Sequence, residues 1–185
     1  MQLKRGIRIL AIDDSHFTKE DGRALAVGVV GRPGVIEGIL SFRVAVDGNE
    51  ATRALIHRVR TSKFAGQIKL IVTNGITLAG LNMLDLEEIS ERLRVPVVSI
   101  VRRRPHKTRL EAAIRKSGKD VRVKLALLKK LNANLSIKRV EGLYVQPAGI
   151  SNEAFKPMQA NAYYFLRLAH LIASGVAKGE SRGRV

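Results

Sequence analysis

The chain has 185 residues, 33 Lys and Arg against 16 Asp and Glu, a net charge of +17 and no cysteine. This length suits one domain, and 45% apolar with 26% charged residues excludes wholesale disorder. The lack of cysteine excludes a disulfide framework, a thiolate metal site and a cysteine nucleophile; no apolar run reaches the ~20 residues of a membrane span.

Met1 to Gly6 leads into a short apolar stretch closed by aspartates, unlike a signal peptide, so a cytoplasmic location is expected. Ile7 to Asp13 reads as a strand. Asp21-Gly22 marks a turn before a second strand, Leu25 to Val30, and Arg32-Pro33-Gly34 turns the chain into a third, Val35 to Val46. Short turns between three strands imply an antiparallel meander. Gly28, Gly31 and Gly34 are spaced like a phosphate loop, but no helix follows them.

The period then changes. Asp47 with Glu50 resembles a capping box, and Leu55, Ile56 and Val59 form a helical stripe. Ile68 to Val72 reads as a buried strand, and Asn82 with Asp85 as the cap of a second helix. There Leu86, Ile89 and Leu93 face inward and Glu87, Glu88 and Glu91 face water. Val97 to Val101 follows as another strand, so a β-α-β-α-β alternation with parallel pairing is expected. Thr108 to Arg115 and Val121 to Leu131 read as basic helices, Leu143 to Val145 as a strand, and Ser151 with Glu153 as a helical turn. A final helix carries Met158, Ala162, Phe165, Ala169 and Ile172 on one stripe. The expected whole is an α/β domain over residues 1–177, a mixed sheet of about five strands with helices on both faces, and a disordered tail, 178–185.

Between Arg102 and Arg139 stand 14 Lys and Arg but two acids, Glu111 and Asp120. Clustered basic charge points to a polyanion, nucleic acid first, with a solvated surface as the plain alternative. Arg102, Arg103, Arg104 and Lys107 follow a strand at its carboxyl end, where open α/β sheets place ligands, and suit phosphate contact. Asp13 and Asp14 close a buried strand, where a carboxylate needs a metal, an Arg or backbone donors as partner. Asn74 reads as a weak oxygen ligand or as a left-handed Asn-Gly turn residue. Asp47 reads as a helix cap or a further ligand, His16 and His170 as packing residues or ligands. Tyr163 and Tyr164 divide between core and surface.

Local strings carry a resemblance. Leu10-Ala11-Ile12-Asp13-Asp14-Ser15-His16-Phe17, Val46-Asp47-Gly48-Asn49-Glu50-Ala51-Thr52, Asn74-Gly75-Ile76-Thr77-Leu78-Ala79-Gly80-Leu81-Asn82 and Leu166-Arg167-Leu168-Ala169-His170-Leu171-Ile172-Ala173 resemble an archaeal family, domain of unknown function ninety-nine. That family is similar to endonuclease V within the RNase H-like superfamily, which cuts nucleic acid beside deaminated purines with Mg²⁺. The resemblance implies an RNase H-like fold and a Mg²⁺ or Mn²⁺ site around Asp13, Asp14 and Asn74. It places the first-strand aspartate of endonuclease V on Asp13 and the site lysine on Arg102. The family's wedge tyrosine falls on Val35, its catalytic glutamate on Val44 and its loop aspartate on Asn74, so two carboxylates are replaced. The expected function is nucleic-acid binding with weak metal-dependent nuclease activity. The alternatives are a non-catalytic binding or scaffold module and an enzyme acting on a small anion such as a nucleotide.

Overall fold

The computed structural model describes residues 6–18 and 20–181. Nine strands and six helices follow in chain order: β1 (Ile9–Asp14), β2 (Arg23–Arg32), β3 (Val35–Ala45), α1 (Ala51–Arg60), β4 (Leu70–Asn74), β5 (Thr77–Leu78), β6 (Asn82–Met83), α2 (Leu86–Leu93), β7 (Val97–Val101), α3 (Lys107–Ser117), α4 (Val121–Asn134), β8 (Lys138–Val140), β9 (Leu143–Ala148), α5 (Asn152–Phe155) and α6 (Gln159–Lys178). A short 3₁₀ turn, Lys156–Met158, joins α5 to α6.

One sheet holds seven of the strands in the order β3-β2-β1-β4-β7-β9-β8, and β5 pairs with β6 apart from it. The meander β1-β2-β3 is antiparallel, while β4 and β7 run parallel to β1. This is the RNase H-like plan expected from sequence, with more than the five strands expected: β9 and β8 add an antiparallel extension beyond β7. The parallel strands bring the carboxyl ends of β1, β4 and β7 to one edge, which therefore holds Asp13, Asn74 and the start of the Arg102 segment.

The central strand is buried on both faces, which is why its residues from Ile9 to Ile12 form an unbroken apolar run. Ile9 and Ala11 meet α6 through Phe165, Leu166 and Ala169. Leu10 and Ile12 join the opposite cluster with α1, α2 and α4. The glycine spacing belongs to this packing. A Cβ on Gly31 would lie 2.5 Å from the Val35 carbonyl and 2.6 Å from the Phe165 ring, so the residue is a seat for Phe165 and not part of a phosphate loop. Tyr163 packs at the margin of that cluster and Tyr164 is exposed.

Several local expectations change. Asp47 does not cap α1: its φ is 55°, its carboxylate accepts the Leu81 N–H at 2.8 Å, and Glu50 occupies the N-cap. The side chain satisfying the first turn of α1 is Asn82, whose Oδ1 accepts the Ala51 N–H at 2.9 Å while its Nδ2 donates to the Ala45 carbonyl. Asp85 alone caps α2, accepting from Glu88. The strand expected at Ile68–Val72 lies two residues later and includes Asn74; Gly75, with φ 75°, is the left-handed residue of that turn. The strand beginning at Leu143 continues to Ala148. Helix α6 includes Lys178 and is closed by Gly179, and tail residues 182–185 lie outside the described residues. No described helix is long and apolar enough to cross a membrane.

Candidate active site at the carboxyl edge of the sheet

Asp13 is 3% exposed, so its carboxylate requires partners to remain ionised among the apolar strands. It has three. The Asp14 N–H donates to Oδ1 at 2.9 Å. The Asn74 Nδ2 donates to Oδ1 at 3.3 Å and to Oδ2 at 3.2 Å, from the end of the neighbouring parallel strand. His170 Nδ1, reaching down from α6, lies 2.9 Å from Oδ2. The structure therefore brings together Asp13, Asn74 and His170, three residues separated by up to 157 positions in sequence. Strand alternation sends Asp14 the other way, where its carboxylate accepts the Ala79 N–H in a short bond.

Asp14 stays close enough to feel the site. Its pKa is pushed up to about 6, first by burial and second by the charge of Asp13, against the pull of the Ala79 N–H and His170. A cleft of about 300 Å³ opens beside it, bordered by Asp14, Ser15, His16, His170, Ser174 and Lys178. His16 is exposed on the rim of this cleft.

Two crowded carboxylates with an Asn amide suit a cation. Mg²⁺ and Mn²⁺ bind through one or two carboxylates and complete their shell with water and substrate phosphate. Asp13 and Asp14 could supply the carboxylates; Asn74 could supply Oδ1 only with a cation between it and Asp13, since here its Nδ2 donates to both Asp13 oxygens. Among the described residues no group of three or more His, Asp or Glu side chains could hold a metal ion by itself, so a cation here would depend on water and substrate phosphate for the rest of its shell.

The remaining candidates fall elsewhere. Asp47 and Asp14 both grip the Ala79–Leu81 turn, through Leu81 and Ala79 respectively, so Asp47 holds the loop behind the site. Nothing in the local sequence marks Ala79 for its left-handed conformation, φ 49°, so this clamp has no sequence signal. Val44, where the resemblance places a glutamate, is fully buried in the core, and Val35 is exposed on β3. Arg102, Arg103, Arg104 and Lys107 are exposed on the segment leaving β7. Two cations of the basic segment leave the surface field. Lys124 is buried, donates to the Asp47 carbonyl at 2.7 Å and has a pKa lowered by desolvation. Lys130 pairs with Asp85 at 2.7 Å and Glu87 at 3.6 Å.

Asn74→Asp is expected to raise Mn²⁺ affinity at least about tenfold, equivalent to ~1.4 kcal/mol. The amide adds no net charge to a cation, whereas a carboxylate about 4 Å away contributes roughly 4 kcal/mol per unit of cation charge at an effective dielectric of 20. Without metal the variant should lose stability, because the donor holding Asp13 becomes a second anion. Calorimetric titration of both proteins checks this; equal Mn²⁺ affinity would mean that Asn74 does not face the cation position.

Several known proteins are similar to this chain. A UPF0215 protein of Methanothermobacter thermautotrophicus is 36% identical over 190 residues, spanning 98% of this chain and 93% of that one. The crystal structure of a protein of unknown function from Archaeoglobus fulgidus superimposes with a TM-score of 0.82 at 32% identity, covering 92% of this chain and 98% of the other. An endonuclease V of Ciona intestinalis, crystallised with a 24mer DNA containing an inosine, aligns at a TM-score of 0.49 and 9% identity over 85% of this chain and 80% of its own. The model of the endonuclease dU family matches residues 5–177. The chain belongs to the endonuclease dU family.

Proposed function

We propose that this protein is an endonuclease that cuts nucleic acid at deoxyuridine. The family's description supplies the lesion, and the buried Asp13 carboxylate, held between Asn74 and His170 at the sheet edge, is the observation that carries a hydrolytic site. Asp13 and Asp14 would hold Mg²⁺ or Mn²⁺ together with a substrate phosphate. When bound, such a cation stabilises charge on the phosphoryl and leaving oxygens and lowers the pKa of water.

The chain's own groups have separate tasks. Asn74 fixes the Asp13 carboxylate in place. His170, with Nδ1 directed at Asp13, keeps one tautomer and orientation, as a carboxylate-paired imidazole does. Asp14, with Oδ2 accepting the Ala79 N–H, would offer Oδ1 to the cation. The Arg102–Arg104 segment and Lys107 supply phosphate contacts that set the register of the strand over the edge.

The test is strand cleavage of an end-labelled oligonucleotide carrying one deoxyuridine, against the same strand carrying thymidine, with Mn²⁺ and with chelator. Cutting confined to the deoxyuridine strand and dependent on Mn²⁺ is expected. Tight binding with no cutting under any condition would favour the second reading, a binding module, which the apolar Val44 and the amide of Asn74 already support.

A further inference from the structure

A second cavity, of about 250 Å³, lies on the face of the sheet opposite α6, beneath α3 and α4. Ile76, Val101, Leu110, Leu128 and Ile137 give it apolar walls. Its polar groups are unusual for their setting. Ser99 and Gln146 sit directly opposite each other on β7 and β9, each 4% exposed, between the buried Val97, Val98, Ile100, Val145 and Ala148. Burying two such groups is costly unless they have partners.

Gln146 is oriented by half of its amide. Nε2 donates to the carbonyls of Leu131 at 3.4 Å and Leu135 at 3.3 Å, at the end of α4. The other half, the acceptor Oε1, is what the side chain can offer to the cavity it lines. One turn separates the cavity from the carboxylate site. Asn74 donates to Asp13, and the next three residues, Gly75, Ile76 and Thr77, line the cavity. That turn is rigid, since Gly75 donates to the Ile100 carbonyl at 3.1 Å and Thr73 Oγ1 to the Gly75 carbonyl at 2.7 Å. Lys107 stands at the mouth, on the segment that carries the arginines.

Deamination changes the pairing edge of cytosine at two positions: the amine at C4 becomes a carbonyl, and ring N3 gains a proton. Cytosine presents a lone pair at ring N3, whereas uracil presents an N–H there, flanked by two carbonyls. A fixed acceptor in an apolar cavity bonds to the N–H and meets the lone pair with repulsion, and sites that demand a hydrogen bond reject ligands lacking it strongly. We propose that this cavity receives a base extruded from the strand, and that Gln146 Oε1 reads the ring N–H created by deamination. Ser99 Oγ is placed to donate to a flanking carbonyl. Extrusion of a base costs a few kcal/mol, and the rigid turn allows the base to enter here while its phosphate remains over Asp13. The inference rests on the deoxyuridine reading above and assigns the residue that makes the distinction.

Binding of single-stranded oligonucleotides identical except for one uracil or cytosine, in chelator to prevent cutting, tests it. The wild type should bind the uracil strand at least about tenfold tighter. Gln146→Leu should bring the two strands within about twofold, chiefly by weakening binding of the uracil strand. Ile137→Trp, which fills the cavity from its rim and leaves the Gln146 bonds intact, should do the same, so the inference does not depend on one variant folding. A uracil preference retained in either variant, with an unchanged melting transition, overturns the cavity assignment alone. A wild type that neither prefers nor cuts the uracil strand overturns the functional reading beneath it.

Discussion

Replacing Arg102, Arg103 and Arg104 together by Ala is expected to reduce the slope of log K against log salt by up to about three units for polynucleotide binding. Each phosphate neutralised on a duplex releases close to one counterion, so the slope counts contacts. These three side chains are exposed on the segment leaving β7 at the sheet edge that holds Asp13, and Lys130 is held on α4 by Asp85 and Glu87. The loss should therefore concentrate in the arginines and be small for a Lys130→Ala control. Affinity measured across a salt series checks both. An unchanged slope in the triple variant would place the nucleic acid elsewhere.

Asp14→Asn is expected to stabilise the protein at neutral pH by about 2–3 kcal/mol in the presence of chelator. The sign follows from the direction of the shift. A folded-state pKa raised from 3.8 to about 6 means the native state prefers the protonated acid. Its stabilising effect is complete below pH 4 and is lost as pH rises through 6, at about 1.4 kcal/mol per unit before any allowance for solvent near the cleft. Asparagine is neutral throughout and keeps an acceptor for the Ala79 N–H. The two proteins should thus unfold alike near pH 4, diverge between pH 4 and 6, and keep a constant gap at higher pH. The difference matters more than either curve alone, since other carboxylates titrate oppositely. Glu50 is held below its usual range: burial opposes its ionisation, but the N–H groups of Ala45 and Asn49 outweigh it. Urea denaturation at several pH values gives the comparison, and a gap that does not grow between pH 4 and 6 would refute the raised pKa of Asp14.

What was legible in the sequence depended on how far each signal had to reach. The meander, β7 and the inward stripe of α2 follow from alternation, turn residues and helical spacing within a few positions. Asp85 behaves as a cap because its partner, Glu88, is three residues away. Asp47 carries the same local pattern, yet its carboxylate is drawn to Leu81, 34 residues on, and the cap of α1 comes from Asn82. Neither partner is visible in a local window. The strand expected over Leu143 to Val145 runs on through Pro147, because β8 pairs with β9 only as far as Val145, so one side of Pro147 has no β8 partner and a missing donor costs little.

The candidate site was legible in its parts and not in its assembly. Asp13 was marked by two aspartates closing an apolar strand, and Asn74 and His170 by the family resemblance. Their meeting needs β1 and β4 to pair in parallel and α6 to cross β1, which no single segment specifies. Lys124 shows the converse. It looks like one more charge in a basic helix, and only the docking of α4 over the Asp47 carbonyl buries it. Gln146 gave no signal at all, because a lone glutamine in a short strand has no pattern until Ser99 is placed beside it.

The most direct measurement is the rate of strand cleavage at deoxyuridine by wild type and Asp13→Asn, each shown to be folded by its melting transition. Asparagine preserves the shape of Asp13 and removes the charge that Asn74 and His170 surround. The account predicts a loss of at least about a hundredfold in rate, equivalent to ~2.7 kcal/mol of barrier, with binding of the uncut strand little changed. Cleavage by Asp13→Asn at the wild-type rate would contradict it.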